Sequence, residues 1–352
     1  MKKIKIADRK IGRGEKCFII SEIGVNHNGK IDLARKMVDK SIDAGADAVK
    51  IQAFFPENST SKYALKAEYQ KDLSDNDDKQ FRMLKKLQLS KSDIKNLKQY
   101  CDKKNIFFLC TVSDIFGADF VYSLDVDFLK IGSPDIINIP LLRHISKWKL
   151  PIVISTGMSN ISEVFEAVEA IKKEGNKKIV LLHCVSNYPT KFKDVNLKAM
   201  LTLKERFNFP VGFSDHTIGP EVSIAAVAMG ANIIEKHFTL DKKMKGPDHE
   251  SSIEFIEFRD MIKKIRNVES SFGDGLKKIR SSEKEIALKS RRSLVANRDI
   301  KKGEVFTIDM VGIKKPFTGL KPKYLDEIIG QKSKTNIKED QPITWKNVEM
   351  KK

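Results

Sequence analysis

No uninterrupted apolar run reaches the roughly 18 residues that a helix needs to cross a bilayer, so no helical membrane span is expected. The first residues, MKKIKIADRKIGRGEK, are basic but carry neither an apolar core nor a small-residue cleavage site, so no signal peptide is expected. Cysteine is scarce. Four thiols, Cys17, Cys101, Cys110 and Cys184, stand far apart, and at least Cys110 and Cys184 fall in apolar runs. That spacing argues against a disulfide framework or a zinc cluster and points to reduced thiols in the cytoplasm. Aromatics make up 8% and are not interleaved with the basic residues, so the net charge of +18 comes without a nucleic-acid motif. The surplus lysines read as a solvated surface whose field favours anionic substrates, and neither nucleic acid nor membrane is an expected partner.

What is present suffices for a large core. The 352 residues are 41% apolar and 32% charged, which fits two domains. Eight strand-like runs recur: Phe18–Gly24, Ala48–Gln52, Ile106–Thr111, Phe128–Ser133, Pro151–Gly157, Ile179–Cys184, Pro210–His216 and Asn232–Phe238. Helical patterns lie between them at Ile31–Ala44, Lys91–Lys104, Ser159–Glu174, Asn196–Phe207 and Ile218–Gly230, with another at Ser252–Ser270. Alternation of this kind predicts an α/β fold, a (β/α)8 TIM barrel, over residues 1–270. A doubly wound open sheet is the alternative, but eight units favour closure. A short hairpin over Ile4–Gly14 precedes the first strand. Residues 53–88 form a polar insertion too long for an ordinary βα loop, which suggests a lid or binding loop. Residues 271–289 read as a linker. Residues 290–352, with short runs at Ser293–Ala296, Val305–Thr307 and Ile343–Trp345, read as a small β-rich domain.

The chemistry gathers at strand ends. Ser214-Asp215-His216-Thr217 and Glu235-Lys236-His237-Phe238-Thr239 each close an apolar run, and the small-residue helix between them makes the two strands parallel neighbours. His216 and His237 then sit side by side at one end of a parallel sheet, a suitable pair for a divalent metal with open positions; two satisfied core histidines are the plainer alternative. Lys50 and Lys130, unusual inside strands, together with Ser/Thr hydroxyls make a cup for a phosphate and a carboxylate. A Schiff-base lysine is the rival chemistry, and lysines that snorkel outward are the structural alternative.

The ordered set Glu22-Ile23-Gly24-Val25-Asn26-His27-Asn28-Gly29, Lys130-Ile131-Gly132-Ser133, Ser155-Thr156-Gly157-Met158, the two histidine motifs and Gly246-Pro247-Asp248-His249 resembles the sialic acid synthase family, which includes N-acetylneuraminate, legionaminate and pseudaminate synthases. Arg292-Ser293-Leu294-Val295-Ala296 and Asp299-Ile300-Lys301-Lys302-Gly303-Glu304 resemble that family's antifreeze-like, β-clip-type C-terminal domain. The resemblance implies condensation of phosphoenolpyruvate with an open-chain N-acyl hexosamine by C–O cleavage. It implies a divalent ion, Mn2+ with Mg2+ or Co2+ as alternatives, on His216 and His237. Lys50, Thr111, Lys130, Ser133, Ser155 and Ser214 would grip phosphoenolpyruvate, and Glu22, Tyr188 and Asp248 would serve the sugar and the proton transfers. The chain departs from the family pattern at four places. Thr111-Val112-Ser113 replaces Thr-Pro-Phe, and Pro134-Asp135 replaces Gly-Glu, which leaves Asp135 as a shorter catalytic carboxylate. Ser186, with Asn187 beside it, stands where an Asn is usual, and Lys315 stands where an Arg reaches the sugar. A domain-swapped homodimer is implied, with Lys315 acting in trans. A Schiff-base pyruvate aldolase using Lys130 or Lys50 and a non-catalytic carbohydrate-binding protein are the competing functions.

Overall fold

The computed structural model describes residues 3–67 and 79–350. An antiparallel hairpin, β1 (Ile4–Ile6) and β2 (Arg9–Ile11), comes first. Eight parallel strands follow: β3 (Phe18–Gly24), β4 (Ala48–Gln52), β5 (Phe107–Val112), β6 (Leu129–Ile131), β7 (Ile152–Ser155), β8 (Ile179–His183), β9 (Val211–Asp215) and β10 (Ile233–Thr239). Each pairs with its neighbour in sequence order, and β10 pairs with both β9 and β3, so the sheet closes into a (β/α)8 barrel. All eight expected strands are present, with ends shifted by up to two residues. The hairpin is present too.

Local chemistry sets the helices between them. Ser90 and Asp93 form a reciprocal capping box that starts the helix Lys91–Lys103, and Asn160 with Glu163 does the same for Ile161–Lys173. Gly45, at φ 88°, ends the helix Ile31–Ala44 in the left-handed conformation that glycine adopts without steric cost. Gly212 lies where a Cβ would collide with the backbone of Ile233, so its missing side chain lets β9 and β10 approach in the register Ser214 opposite Glu235.

Side chains alternate across the strands. Outward residues pack on the helices in one large apolar core. Inward residues of the lower strands, including Phe18, Ile20, Leu109, Phe128, Val153, Leu182 and Ile233, form a second core, and Ile4, Ile6 and Ile11 of the hairpin plug it from below. The barrel interior is therefore filled at one end, and only the C-terminal strand ends remain for chemistry.

Several expectations change. Short helices at Ile115–Tyr122 and Ile139–Ser146 were not apparent from periodicity. The last barrel helix, Phe255–Ser271, is preceded by β11 (Ile253–Glu254) on the β10 edge rather than starting at Ser252. In the long insertion, helices Pro56–Ser59 and Gln80–Leu87 flank a bridge between Leu65 and Lys79; residues 68–78 lie outside the described residues. The chain divides into two compact units, Met1–Phe272 and Gly273–Lys352. Within the second, Ser281–Glu283 and Lys284–Ser290 are a helical turn and a helix rather than open linker. This unit pairs β12 (Ser293–Ala296) with β13 (Val311–Lys314), and β14 (Lys332–Ser333) with β15 (Val348–Glu349), around Leu294, Phe306, Ile328 and Ile343. The runs Val305–Thr307 and Ile343–Trp345 are not strands: Val305 makes a single bridge, and Ile343 serves as a core residue. Among the described residues, no helix is long and apolar enough to cross a membrane.

Candidate active site

A cavity of about 470 Å³ opens at the C-terminal ends of the barrel strands. Its floor is made by inward residues near the ends of β4, β5, β6, β7, β9 and β10. Lys50 of β4 contacts the Glu22 carboxylate of β3 at 2.9 Å, donates to Thr111 Oγ1 of β5 at 3.0 Å and lies 3.6 Å from Glu235 of β10. Lys130 of β6 donates to Ser155 Oγ of β7 at 2.6 Å and lies 3.7 Å from the same Glu235 oxygen. Ser214 of β9 donates to that oxygen at 2.9 Å. Both lysines are more than nine-tenths buried.

These neighbours set the charges. Burial works against the Lys50 ammonium, but the Glu22 and Glu235 carboxylates outweigh it and raise its pKa. Lys130 has Glu235 alone close by; burial dominates there and lowers its pKa, with the Lys50 charge acting the same way. Burial disfavours the Glu235 anion as well, yet Lys130, Lys50 and the Ser214 hydroxyl hold it well below the usual carboxylate range. The floor is thus an alternating carboxylate–ammonium row whose hydroxyls and ammoniums face open space.

The histidines stand beside this row. Their ring centroids are 5.3 Å apart, and Tyr188 lies across both, at 4.1 Å from His216 and 5.4 Å from His237. Val185 O accepts from His216 Nδ1 at 2.7 Å, which leaves Nε2, 3.4 Å from Ser214 Oγ, with a free lone pair. Burial and the neighbouring His237 push the His216 pKa down to about 3, so this imidazole is neutral at physiological pH. His237 is also disfavoured as a cation by burial, but Asp248, 3.3 Å from its Nδ1, raises its pKa. His237 Nδ1 is buried without a hydrogen bond. A neutral oriented imidazole, an under-satisfied second ring and a carboxylate behind it fit a divalent cation. Among the described residues, no group of three or more His, Cys, Asp or Glu side chains is arranged to hold a metal, so the pair offers two protein donors and leaves other positions to solvent or substrate.

Most candidate residues meet here. Lys50, Thr111, Lys130, Ser133, Ser155 and Ser214 line the cavity, as do Asp135, Ser186, Tyr188, His216, His237 and Asp248. Two others of the barrel unit do not. Glu22 is fully buried behind Lys50, so it acts on the cavity through that lysine. Asn187 is exposed and outside the lining, which leaves Ser186 as the residue that faces the space. Lys315 is exposed on a turn after β13, in the second unit. Glu235, by contrast, lines the cavity at the centre of the row and was not singled out from sequence. Strand alternation was the available signal: it stands two residues before His237 and shares its face. The residues between, Asp215 and Lys236, point outward and pair at 2.9 Å beneath the helix Glu221–Ala228, where Ser223 also donates to Asp215.

Comparisons with known proteins agree with this geometry. The family model described as NeuB family matches residues 37–277, and the one described as SAF domain matches residues 291–349. The N,N'-diacetyllegionaminic acid synthase of Campylobacter jejuni is 44% identical, over 94% of this chain and 99% of that protein. The enzyme of the same name from Legionella pneumophila is 42% identical, over 96% of each chain. A crystal structure of N-acetylneuraminic acid (sialic acid) synthetase from Leptospira borgpetersenii, in complex with citrate, superposes with a TM-score of 0.71 at 35% identity, covering 81% of this chain and 95% of that one.

Proposed function

The chain belongs to the NeuB family, and on that premise we propose that it is a nonulosonate synthase condensing phosphoenolpyruvate with an open-chain N-acyl hexosamine, N-acetylmannosamine or its 2,4-diacetamido-6-deoxy relative, by C–O cleavage. The observation that carries this reading is one cavity shared by the Lys50–Glu235–Lys130 row and the His216–His237 pair.

Lys50 and Lys130, with Thr111, Ser133, Ser155 and Ser214, bind the phosphate and carboxylate of phosphoenolpyruvate and fix its C3 toward the acceptor. His216 and His237 would hold a divalent ion, Mn2+, Mg2+ or Co2+, which when bound supplies Lewis-acid polarisation of the sugar aldehyde. Asp248 orients His237, and Tyr188 covers both rings. C3 attacks the aldehyde carbon, and positive charge develops at C2. Glu235 lies where it can offset that charge, with Glu22 supporting it through Lys50. Water adds to C2, and the resulting hemiketal phosphate breaks its C–O bond to release phosphate and the 2-keto acid. Asp135 is the remaining carboxylate for proton transfer. Buried free thiols at all four cysteines support a cytoplasmic setting.

The test is direct: incubate the protein with phosphoenolpyruvate and each sugar, and measure phosphate release. The lowered pKa of Lys130 favours one second reading, a Schiff-base pyruvate aldolase. Borohydride trapping with pyruvate decides between them, since a covalent adduct on Lys130 or Lys50 belongs only to the aldolase. The synthase reading includes a homodimer in which Lys315 of one chain meets the sugar held by the other. Lys315→Ala then raises the sugar KM without changing the phosphoenolpyruvate KM, Lys315→Arg retains function, and an unchanged sugar KM in the alanine variant rejects the contact.

A further inference from the structure

We propose that the helix Gln80–Leu87 builds the acceptor-selecting wall of the cavity, and that this wall reads a methyl group at the far end of the sugar, so that a 6-deoxy acceptor is preferred over the same sugar with a 6-hydroxyl or 6-phosphate. The proposal rests on the synthase reading.

Val25, Phe54, Met83 and Leu87 form an apolar cluster separate from the two barrel cores, with Leu84 packed against it, and all five line the cavity. Met83, Leu84 and Leu87 share one helix face, while Arg82, Lys85 and Lys86 are exposed on the other. Lys85 pairs with Glu57, which ties the helix to the Pro56–Ser59 turn. An apolar face turned into an otherwise ionic cavity gains free energy when the ligand brings apolar surface to it.

Position and charge narrow what that surface is. Val25 follows β3 and Phe54 follows β4, and β3 is the neighbour of β10, which carries His237. The wall therefore flanks the histidine pair, and an acceptor anchored there by its aldehyde carries its chain along the wall. Among the described lining residues, Lys50 and Lys130 are the only lysines, and no arginine is present. Both lysines serve the floor, so among the described lining residues a second phosphate on the acceptor would meet methionine and leucine instead of cations. A hydroxymethyl group would lose hydration against the same side chains, whereas a methyl group would lose none.

The experiment uses the full chain with phosphoenolpyruvate and acceptor pairs that differ only at C6, in both the 2-acetamido and the 2,4-diacetamido mannose series. The wild type is expected to favour the 6-deoxy sugar in kcat/KM by about tenfold to a hundredfold. Met83→Gln, close to isosteric, and Leu84→Gln, at a half-buried position that tolerates polarity, should each cut that ratio to within about threefold. Neither should change the KM for phosphoenolpyruvate. Equal kcat/KM for the two sugars in the wild type overturns the proposal, as does a ratio that neither variant alters. Phosphate release from no sugar in either series rejects the synthase reading, and this inference with it; release with equal rates rejects the inference alone.

Discussion

The lower and upper halves of the barrel interior are made by the same strands, yet they hold opposite chemistry. One inward step of two residues turns Ala48 into Lys50, Leu109 into Thr111, Phe128 into Lys130, Val153 into Ser155 and Ile233 into Glu235. Below the step, Phe18 and Phe128 meet edge to face at 6.0 Å, and the hairpin seals the end. Above it, every buried charge has a partner: Lys50 with Glu22, and Lys130 with Glu235. The fold's stability sits in the first layer. The second layer is held in place at a desolvation cost that its ion pairs offset, which buried pairs rarely exceed. Separating the layers this way lets the upper one change charge or bind ligands without disturbing the closure beneath it.

The sharpest break of this contrast removes a lower residue. Phe18→Ala should cost about 3–5 kcal/mol of stability, because the fully buried ring leaves a cavity in a close-packed layer. A denaturant titration would read that loss, and activity per folded molecule should hold. A loss under about 1 kcal/mol would mean that the lower layer does not carry the barrel. The next test removes upper residues. His216→Ala or His237→Ala should cut condensation by at least about a hundredfold while leaving the unfolding midpoint near wild type. Full activity after EDTA treatment and gel filtration would sink the metal assignment. Smaller again is Lys130→Met, which should lower kcat/KM for phosphoenolpyruvate about tenfold to a hundredfold, the worth of one charge-assisted contact of about 1.5–3 kcal/mol. Unchanged kinetics would place Lys130 outside the anion site.

The same layering explains how far the sequence could be read. Apolar runs that end in polar residues gave the eight strands, and the two histidine motifs gave adjacent strand ends, because strand period and strand–helix–strand length are local properties. Glu235 escaped because a glutamate is ordinarily a solvated residue, and only its alternation with His237 places it on the inward face. Ser186 and Asn187 were both candidates because they are adjacent small polar residues, but the turn after β8 leaves Asn187 exposed and faces Ser186 to the cavity. Ile115–Tyr122 is apolar almost all round, so its helix had no amphipathic signal to find. In the second unit, Val305 and Ile343 looked like strand residues because they are β-branched and open the short runs Val305–Thr307 and Ile343–Trp345. Val305 meets Lys332 at an isolated bridge, and Ile343 bonds to Leu294 and Leu320, pairings distant in sequence that no local pattern records.

The finest test of the contrast is a titration at its upper edge. Burial pushes the Asp135 carboxyl up to about 7, the Asp114 charge adds to this, and Asn138 and Lys130 oppose it. Below that pH the cavity presents a neutral acid beside the lysine row. Above it, an anion faces the incoming phosphoenolpyruvate, itself anionic throughout. The KM for phosphoenolpyruvate should therefore rise a few-fold as pH passes through about 7, and Asp135→Asn should flatten that rise. Stability follows the same sign. A carboxyl whose pKa is raised from 3.8 in the unfolded chain to about 7 in the folded one gives its full contribution below 3.8 and loses it as pH climbs through 7. The difference in melting temperature between Asp135→Asn and wild type should then grow in the variant's favour from pH 5 to pH 8, roughly the window in which the folded carboxyl ionises. Phe18→Ala, which removes no titrating group, should show no such trend. Parallel melting curves for Asp135→Asn and wild type across that window would mean that Asp135 is ionised at ordinary acidity and that the upper layer carries one more fixed negative charge than its partners offset.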